Sequence, residues 1–191
     1  MEDNLICLVK AAQGGQPGAF AALAEALRPN IFQLTSRFAR TAPDFDDLSQ
    51  EICLQLWKSL PKLRECGAFP GWFKSLSVRS CYQWLRRRRN RQEREVPLEQ
   101  LPESATDQTP PDDDGEKAAA IIHAALAKLK PPERLVLTLL ELEGHTIRDI
   151  AAFTGWSEGN VKVRAHRARA ALKRTLVEDG YVSLRLAAPM D

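Results

Sequence analysis

The stretch TIRDIAAFTGWSEGNVKVRAHRARAALK, residues 146–173, decides how the C-terminal part of the chain folds. Thr146-Ile147-Arg148-Asp149 has the form of a capping box, in which the Thr hydroxyl accepts from the backbone three residues on and the acid reaches back to the first turn. Ile147, Ile150, Ala151 and Phe153 then give a short helix one buried face. Gly155-Trp156 is a turn, because glycine tolerates the left-handed backbone that closes such a helix. Ser157 is a good N-cap for a second helix. In it Val161, Ala165, Ala168 and Leu172 make an apolar stripe, while Lys162, His166, Arg169 and Lys173 follow one another on another face. A short helix, a tight turn and a basic helix make a helix-turn-helix. A solvated basic face on an ordinary bundle helix would need only the cations. Capping box, glycine turn and serine cap in register favour the DNA-binding reading, in which a helix enters the major groove and cations beside it meet phosphates.

Charge is distributed in blocks around this stretch. Asn160 to Arg174 carries Lys162, Arg164, Arg167, Arg169, Lys173 and Arg174 and no acid. Upstream, residues 86–94 hold six arginines against Glu93 alone. Between the two basic blocks, Glu95 to Glu116 contains eight acids, four prolines and no Lys or Arg. Such a segment cannot bury enough apolar surface to offset its ordering entropy, so it reads as a flexible linker. The expected organisation is therefore an N-terminal domain over 1–94, a linker over 95–116, a helix-turn-helix domain over 117–176 and a tail over 177–191. Two basic segments on an acidic tether suggest one polyanion touched at two places.

The N-terminal domain also reads as helical, which makes the fold all-α: apolar spacing is three and four, and no segment alternates like a strand. Phe20, Leu23, Leu27, Ile31, Leu34 and Phe38 form one such series, interrupted by Pro29, where one helix is expected to end and another to begin. Leu48, Ile52, Leu56 and Leu60 form a second, begun by acids suited to a helix N-terminus and stopped by Pro61. Lys62 to Phe69 is expected to be a loop. Trp72 to Arg89 is a third amphipathic run with Phe73, Leu76, Tyr82 and Leu85 available to pack.

Asp47, Gln50 and Glu51 fall on neighbouring exposed turns of the second helix. A solvated acidic helix start and a partner-binding face fit them equally. Further on, Phe69, Trp72, Phe73, Tyr82 and Trp84 are interleaved with Arg64, Lys74, Arg79 and the arginine run. Aromatic rings are platforms for unstacked bases and arginines hold phosphates, so the combination suits single-stranded nucleic acid. The same aromatics also suit a helical core.

Composition excludes several classes. With 191 residues, 44% apolar and 27% charged, the chain is ordinary globular material for one domain or two small ones. No apolar stretch approaches the roughly 18 residues of a membrane span, and Met1-Glu2-Asp3-Asn4 is acidic where a signal peptide would be basic. A cytoplasmic protein without membrane insertion is expected. Cys7, Cys53, Cys66 and Cys81 are 46, 13 and 15 residues apart, a spacing that signals neither zinc nor a disulfide framework. His123, His145 and His166 are scattered, and no phosphate-cradling glycine loop appears. Neither an enzyme nor a cofactor is expected. A stand-alone helix-turn-helix regulator with an N-terminal sensor domain is the rival reading.

Several spaced motifs, in order, resemble the extracytoplasmic-function (ECF) sigma factors of the sigma-70 family. They are Asp44-Phe-Asp-Asp-Leu-Ser-Gln-Glu51, Phe69-x-x-Trp72 leading to Leu85 and four arginines, Leu129-x-x-x-x-Arg134, Glu143-Gly144-x-Thr146-x-x-Asp149-Ile150-Ala151, and Ser157-x-Gly159-x-Val161-Lys162-x-Arg164-x-x-Arg167-Ala168-Arg169. The resemblance implies a region 2 helical bundle and a region 4 helix-turn-helix, and a factor that brings core RNA polymerase to bacterial promoters. It implies that Asp47, Gln50 and Glu51 dock on the clamp helices of the largest polymerase subunit, and that region 4 meets the flap of the second largest. Region 2 would melt and read the minus-10 element, with the loop from Lys62 to Phe69 capturing a flipped base and Lys62, Arg64, Phe69, Trp72, Lys74 and Arg79 as contacts. Region 4 would read minus-35 duplex through Lys162, Val163, His166 and Arg167, with Arg164, Arg169 and Lys173 on phosphates. The acidic linker would thread the polymerase's RNA path, and an anti-sigma factor would be a further partner. Many members have Asn at the position of Arg79 and Thr and Ser at those of Asn160 and Val163, so this chain's promoter elements are its own.

Overall fold

Pro29 does not divide the first apolar series. In the computed structural model, which describes residues 2–94 and 114–181, it lies inside one helix, Ala19–Ser36. Leu23, Leu27, Ile31 and Leu34 are all buried along that helix. Proline removes one main-chain bond at a cost of about 3 kcal/mol in a helix interior, less than four buried aliphatic side chains contribute. Pro29 and Glu25, whose carbonyl loses its donor, are both exposed, so water can satisfy that carbonyl.

The described residues fall into two compact units that divide between Arg87 and Arg88. The first is built from α1 (Glu2–Gln13), α2 (Ala19–Ser36), α3 (Ala42–Ser59) and most of α4 (Phe69–Arg94). Thr41 caps α3 by accepting from Asp44 N at 3.2 Å, and Pro43 suits its first turn. Leu48, Ile52 and Leu56 are buried on one side of α3, as their spacing predicts, and Leu60 is buried just past its end. Also buried in this unit are Val9 of α1, the α2 stripe with Phe38, and Phe69, Phe73, Leu76, Val78, Cys81, Trp84 and Leu85 of α4. Two 3-10 turns, Leu60–Lys62 and Cys66–Ala68, bound the expected loop.

The second unit contains α5 (Asp114–Ala127), α6 (Pro131–Leu137), α7 (Ile147–Thr154) and α8 (Glu158–Glu178). A π-helical turn, Thr138–Leu142, continues α6. The expected linker, 95–116, lies outside the described residues up to 113. Its last three residues belong to α5, carried back from the strongly helix-forming run Ala118 to Ala120. Leu126, Leu129, Leu137 and Ala168 form a buried cluster, against which Ile122, Leu142, Ala171 and Leu172 pack. Lys128 Nζ joins Asp179 at 2.6 Å, tying the end of α5 to the end of α8. The tail beyond Tyr181 lies outside the described residues. No strand occurs among those described, and no helix in them is long and apolar enough to cross a membrane.

Candidate nucleic-acid interface

In the second unit the local chemistry of the sequence is realised bond by bond. Thr146 N donates to Asp149 Oδ2 at 2.9 Å and Asp149 N donates to Thr146 Oγ1 at 3.1 Å, a closed capping box. Hydrogen bonds from the Thr146 hydroxyl and then its backbone hold the Asp149 carboxyl below its ordinary range, with the positive charges of His145 and Arg148 adding to the effect. Gly155 closes α7 at φ 78°, and Ser157 Oγ accepts from Asn160 N at 3.2 Å to start α8. Val161, Ala165 and Ala168 are buried, which turns the opposite side of α8 outward.

Lys162, Val163, His166 and Arg167 stand on that outward side, at a spacing that makes them one contiguous patch. Val163 is 50% exposed, an apolar side chain held in water in the middle of a cationic surface. Arg164 and Arg169 differ from these four. The Arg164 guanidinium lies 4.3 Å from the Trp156 ring centroid and donates to Asn160. Arg169 forms an ion pair with Glu141 at 2.8 Å. Lys173 is exposed one turn further on.

In the first unit the expected contact residues are interlocked. Trp84 Nε1 donates to Asp47 Oδ2 at 2.7 Å across 37 residues of sequence, while the Trp84 ring is buried. Glu51 pairs with Arg87 at 3.0 Å and accepts from Gln55 at 3.0 Å. Two of the three acidic-helix positions thus fasten α3 to α4. Gln50 remains exposed, and one and two turns along the same face lie Leu54, 50% exposed, and Trp57, 60% exposed. That apolar pair went unread in the sequence. Its signal was there, since both residues fall off the buried stripe of α3.

A groove of about 310 Å³ runs between α3 and α4, lined by Glu51, Gln55, Trp72, Leu76, Arg79 and Gln83 among others. It brings Trp72 and Arg79 of α4, expected on the minus-10 strand, into the same groove as Glu51 of α3, expected on the polymerase. Trp72 and Lys74 are half-buried, and Arg79, Lys62 and Arg64 are exposed. Phe69 has no exposed surface; it packs on Phe73 at 5.7 Å and on Trp72 at 5.9 Å and supports the groove from beneath. Phe73 and Trp84 are buried too, which leaves Trp72 and Tyr82 as the aromatic rings of α4 with open surface. The loop before α4 is held by Gln13 of α1, through its amide nitrogen to Leu60 and Leu63 and its amide oxygen to Cys66. Burial pushes the Cys53 thiol up. Among the described residues no group of three or more His, Cys, Asp or Glu is placed to hold a metal ion.

Comparison with known proteins follows the same division. Residues 23–91 match sigma-70 region 2 and residues 119–172 match sigma-70 region 4. The ECF RNA polymerase sigma factor SigM of Mycobacterium tuberculosis is 30% identical over 176 residues, covering 92% of this chain and 85% of the relative. This chain belongs to the ECF sigma factors. The RNA polymerase sigma-H factor of Pseudomonas aeruginosa is 28% identical over 177 residues, 88% of this chain and 92% of that one. Among solved structures, CnrH in complex with the cytosolic domain of CnrY superposes with a TM-score of 0.56 at 23% identity, over 91% of this chain and 97% of that chain. The sigma factor RpoE in complex with the anti-sigma factor NepR from Bartonella quintana gives 0.54 at 20% identity, over 83% and 97%. At these identities the two likenesses bear on the fold. The sigma factor therefore binds core RNA polymerase and directs promoter recognition, DNA melting and transcription initiation. A stand-alone regulator would leave the region 2 match without a role.

Proposed function

We propose that the two units divide promoter recognition by the physical state of the DNA. In the second unit, Lys162, Val163, His166 and Arg167 read base edges of minus-35 duplex, and Arg164, Arg169 and Lys173 hold its phosphates. In the first, the groove between α3 and α4 takes the separated minus-10 strand. Trp72 offers a stacking face, Arg79, Lys74, Lys62 and Arg64 hold the backbone, and the loop from Lys62 to Phe69 captures a displaced base. Unstacking a base costs a few kcal/mol, which stacking and a fitted pocket must offset. Phe69 contributes by supporting Trp72.

The clamp helices of the largest polymerase subunit meet the α3 face that carries Gln50, Leu54 and Trp57, with Asp47 and Glu51 at its edge. The second unit meets the flap of the second largest subunit, and the acidic linker runs along the RNA path. The whole acts in the bacterial cytoplasm, contributes binding rather than a catalytic step, and is held in check by an anti-sigma factor covering the same surfaces. The observation that carries this reading is the exposed apolar pair Leu54 and Trp57 beside Gln50, next to a strand-sized groove with Trp72 and Arg79 in its wall.

The test is transcription in vitro with bacterial core polymerase, genomic DNA fragments and sequencing of 5′ ends. Because Asp47 also holds Trp84, Gln50→Arg is the cleaner docking variant. Specific starts that require the protein, vanish with Gln50→Arg and shift or weaken with Arg167→Ala support the reading. Starts indifferent to Gln50→Arg would remove the proposed docking face.

A further inference from the structure

Gln13 is the last residue of α1, outside the residues matched to region 2, yet its side chain bonds to groups about fifty residues away in sequence. Its Nε2 donates to the carbonyls of Leu60 at 2.8 Å and Leu63 at 2.7 Å, and its Oε1 accepts from Cys66 Sγ at 3.3 Å. The three partners belong to the first 3-10 turn, the residue after it, and the start of the second. A primary amide offers two donors and an acceptor, and here each is used. Neither a carboxylate nor a shorter side chain reproduces that set.

Besides Gln13, the loop is anchored at its start by the buried Leu60 side chain, and few of its other described groups are held. Its own backbone supplies the local bonds Leu63 N to Leu60 O and Ala68 N to Glu65 O. Lys62, Arg64, Glu65, Gly67 and Ala68 are exposed, and the second turn buries no side chain. A loop with so few buried groups opens locally unless bonds from a rigid element hold it. Gln13 provides such bonds from an α-helix whose Val9 is fully buried.

We propose that Gln13 is a positioning residue for the loop Lys62 to Phe69, so that α1 takes part in selecting the base displaced from the minus-10 element. This rests on reading that loop as the base-capturing one. Without the amide the loop must be ordered at the moment of capture, and the cost falls on promoter melting rather than on polymerase docking.

The experiment uses the full chain with core polymerase on a promoter mapped as above, with each of the four bases in turn at every minus-10 position. It measures open-complex formation for the wild type, Gln13→Ala, Gln13→Glu and the loop variant Arg64→Ala with Glu65→Ala. Losing both amide donors in Gln13→Ala or Gln13→Glu flattens the preference for the captured base by at least about fivefold, the scale of one to two net hydrogen bonds. Affinity for core polymerase and for minus-35 duplex stays at the wild-type value. An unchanged base preference in either Gln13 variant overturns the proposal, and so does a loss of preference matched by an equal loss of core affinity. If the loop variant flattens the preference while the Gln13 variants do not, the positioning role alone fails. If the loop variant leaves every preference intact, the base-capturing reading fails with it.

Discussion

The second half of α4 and the outward side of α8 are both rich in cations, yet they present them differently. In α8 the cations are interleaved with Val161, Ala165 and Ala168, so burial of small apolar residues on one side turns charge to the other. The result is a single face, which a helix lying in a major groove requires. In α4 four arginines are consecutive, so they point all around the helix. Some are anchored within the protein: Arg87 on Glu51, Arg89 on Glu93 at 2.6 Å, and Arg86 at 5.8 Å from the Tyr82 ring. Charge of this kind raises the density of counter-ions for a phosphate backbone without choosing a base. On the proposed division of labour, periodic charge reads and contiguous charge holds.

Measurements at four places test that contrast. The largest effect is expected where the arginine-bearing helix is fastened. Trp84→Ala removes a buried ring together with its bond to Asp47, and should lower the stability of the first unit by about 3–5 kcal/mol in chemical denaturation. Trp84→Phe, which keeps an aromatic ring and loses the N–H, should cost about 0.5–1.5 kcal/mol, the net scale of one hydrogen bond to an exposed acceptor. An effect of Trp84→Phe near zero would mean that the Asp47 bond does not anchor α4.

Next is the reading face. Arg167→Ala should reduce discrimination among minus-35 duplexes by about 1–3 kcal/mol at one base position, measured by competition binding of the polymerase complex. Arg169→Ala should weaken every duplex alike and by less than about threefold, the scale of an exposed ion pair. A base-specific loss from Arg169→Ala would break the division of labour on α8.

Smaller again is the holding segment. Arg91→Ala with Arg94→Ala should leave base preference intact and reduce the salt slope for single-stranded minus-10 DNA by about 0.7 for each phosphate that is no longer neutralised. A changed base preference would show that the run reads as well as holds.

The smallest effect is at the α7 cap. The Asp149 carboxyl titrates below its ordinary value of 3.8 when folded, so its contribution is complete above that value and is lost as pH falls through the lower, folded one. Hydrogen exchange of the α7 amides should therefore accelerate below about pH 4 in the wild type more than in Asp149→Asn. Parallel profiles for the two would show that the charged cap is not what holds the turn.

How much of this was legible differs between the units for a physical reason. The helix-turn-helix is specified by contacts three residues apart, Thr146 with Asp149 and Ser157 with Asn160, and a local pattern displays them. The first unit is specified by contacts 37 to 53 residues apart, such as Trp84 with Asp47 and Cys66 with Gln13, which no window of sequence contains. The sequence therefore displays Asp47 and Glu51 as contact residues and gives no sign that each also bonds to α4. Pro29 misled because local propensity is a weak term beside a continuous buried stripe. The π-helical turn at Thr138–Leu142 has no sequence signature that the apolar spacing could reveal.

The ion pair of Arg169 with Glu141 bears on how this protein's phosphates would be counted on DNA. If Arg169 holds a phosphate as proposed, Glu141 is a resident anion where that phosphate would sit. On that reading one oxyanion would replace another when DNA arrives, and the guanidinium would have few loosely held ions to give up. The contact is then electrically quiet: it orients the helix on the backbone, yet it adds little to the dependence of affinity on salt. A tally of phosphates made from that dependence would come out lower than the number of phosphates touched.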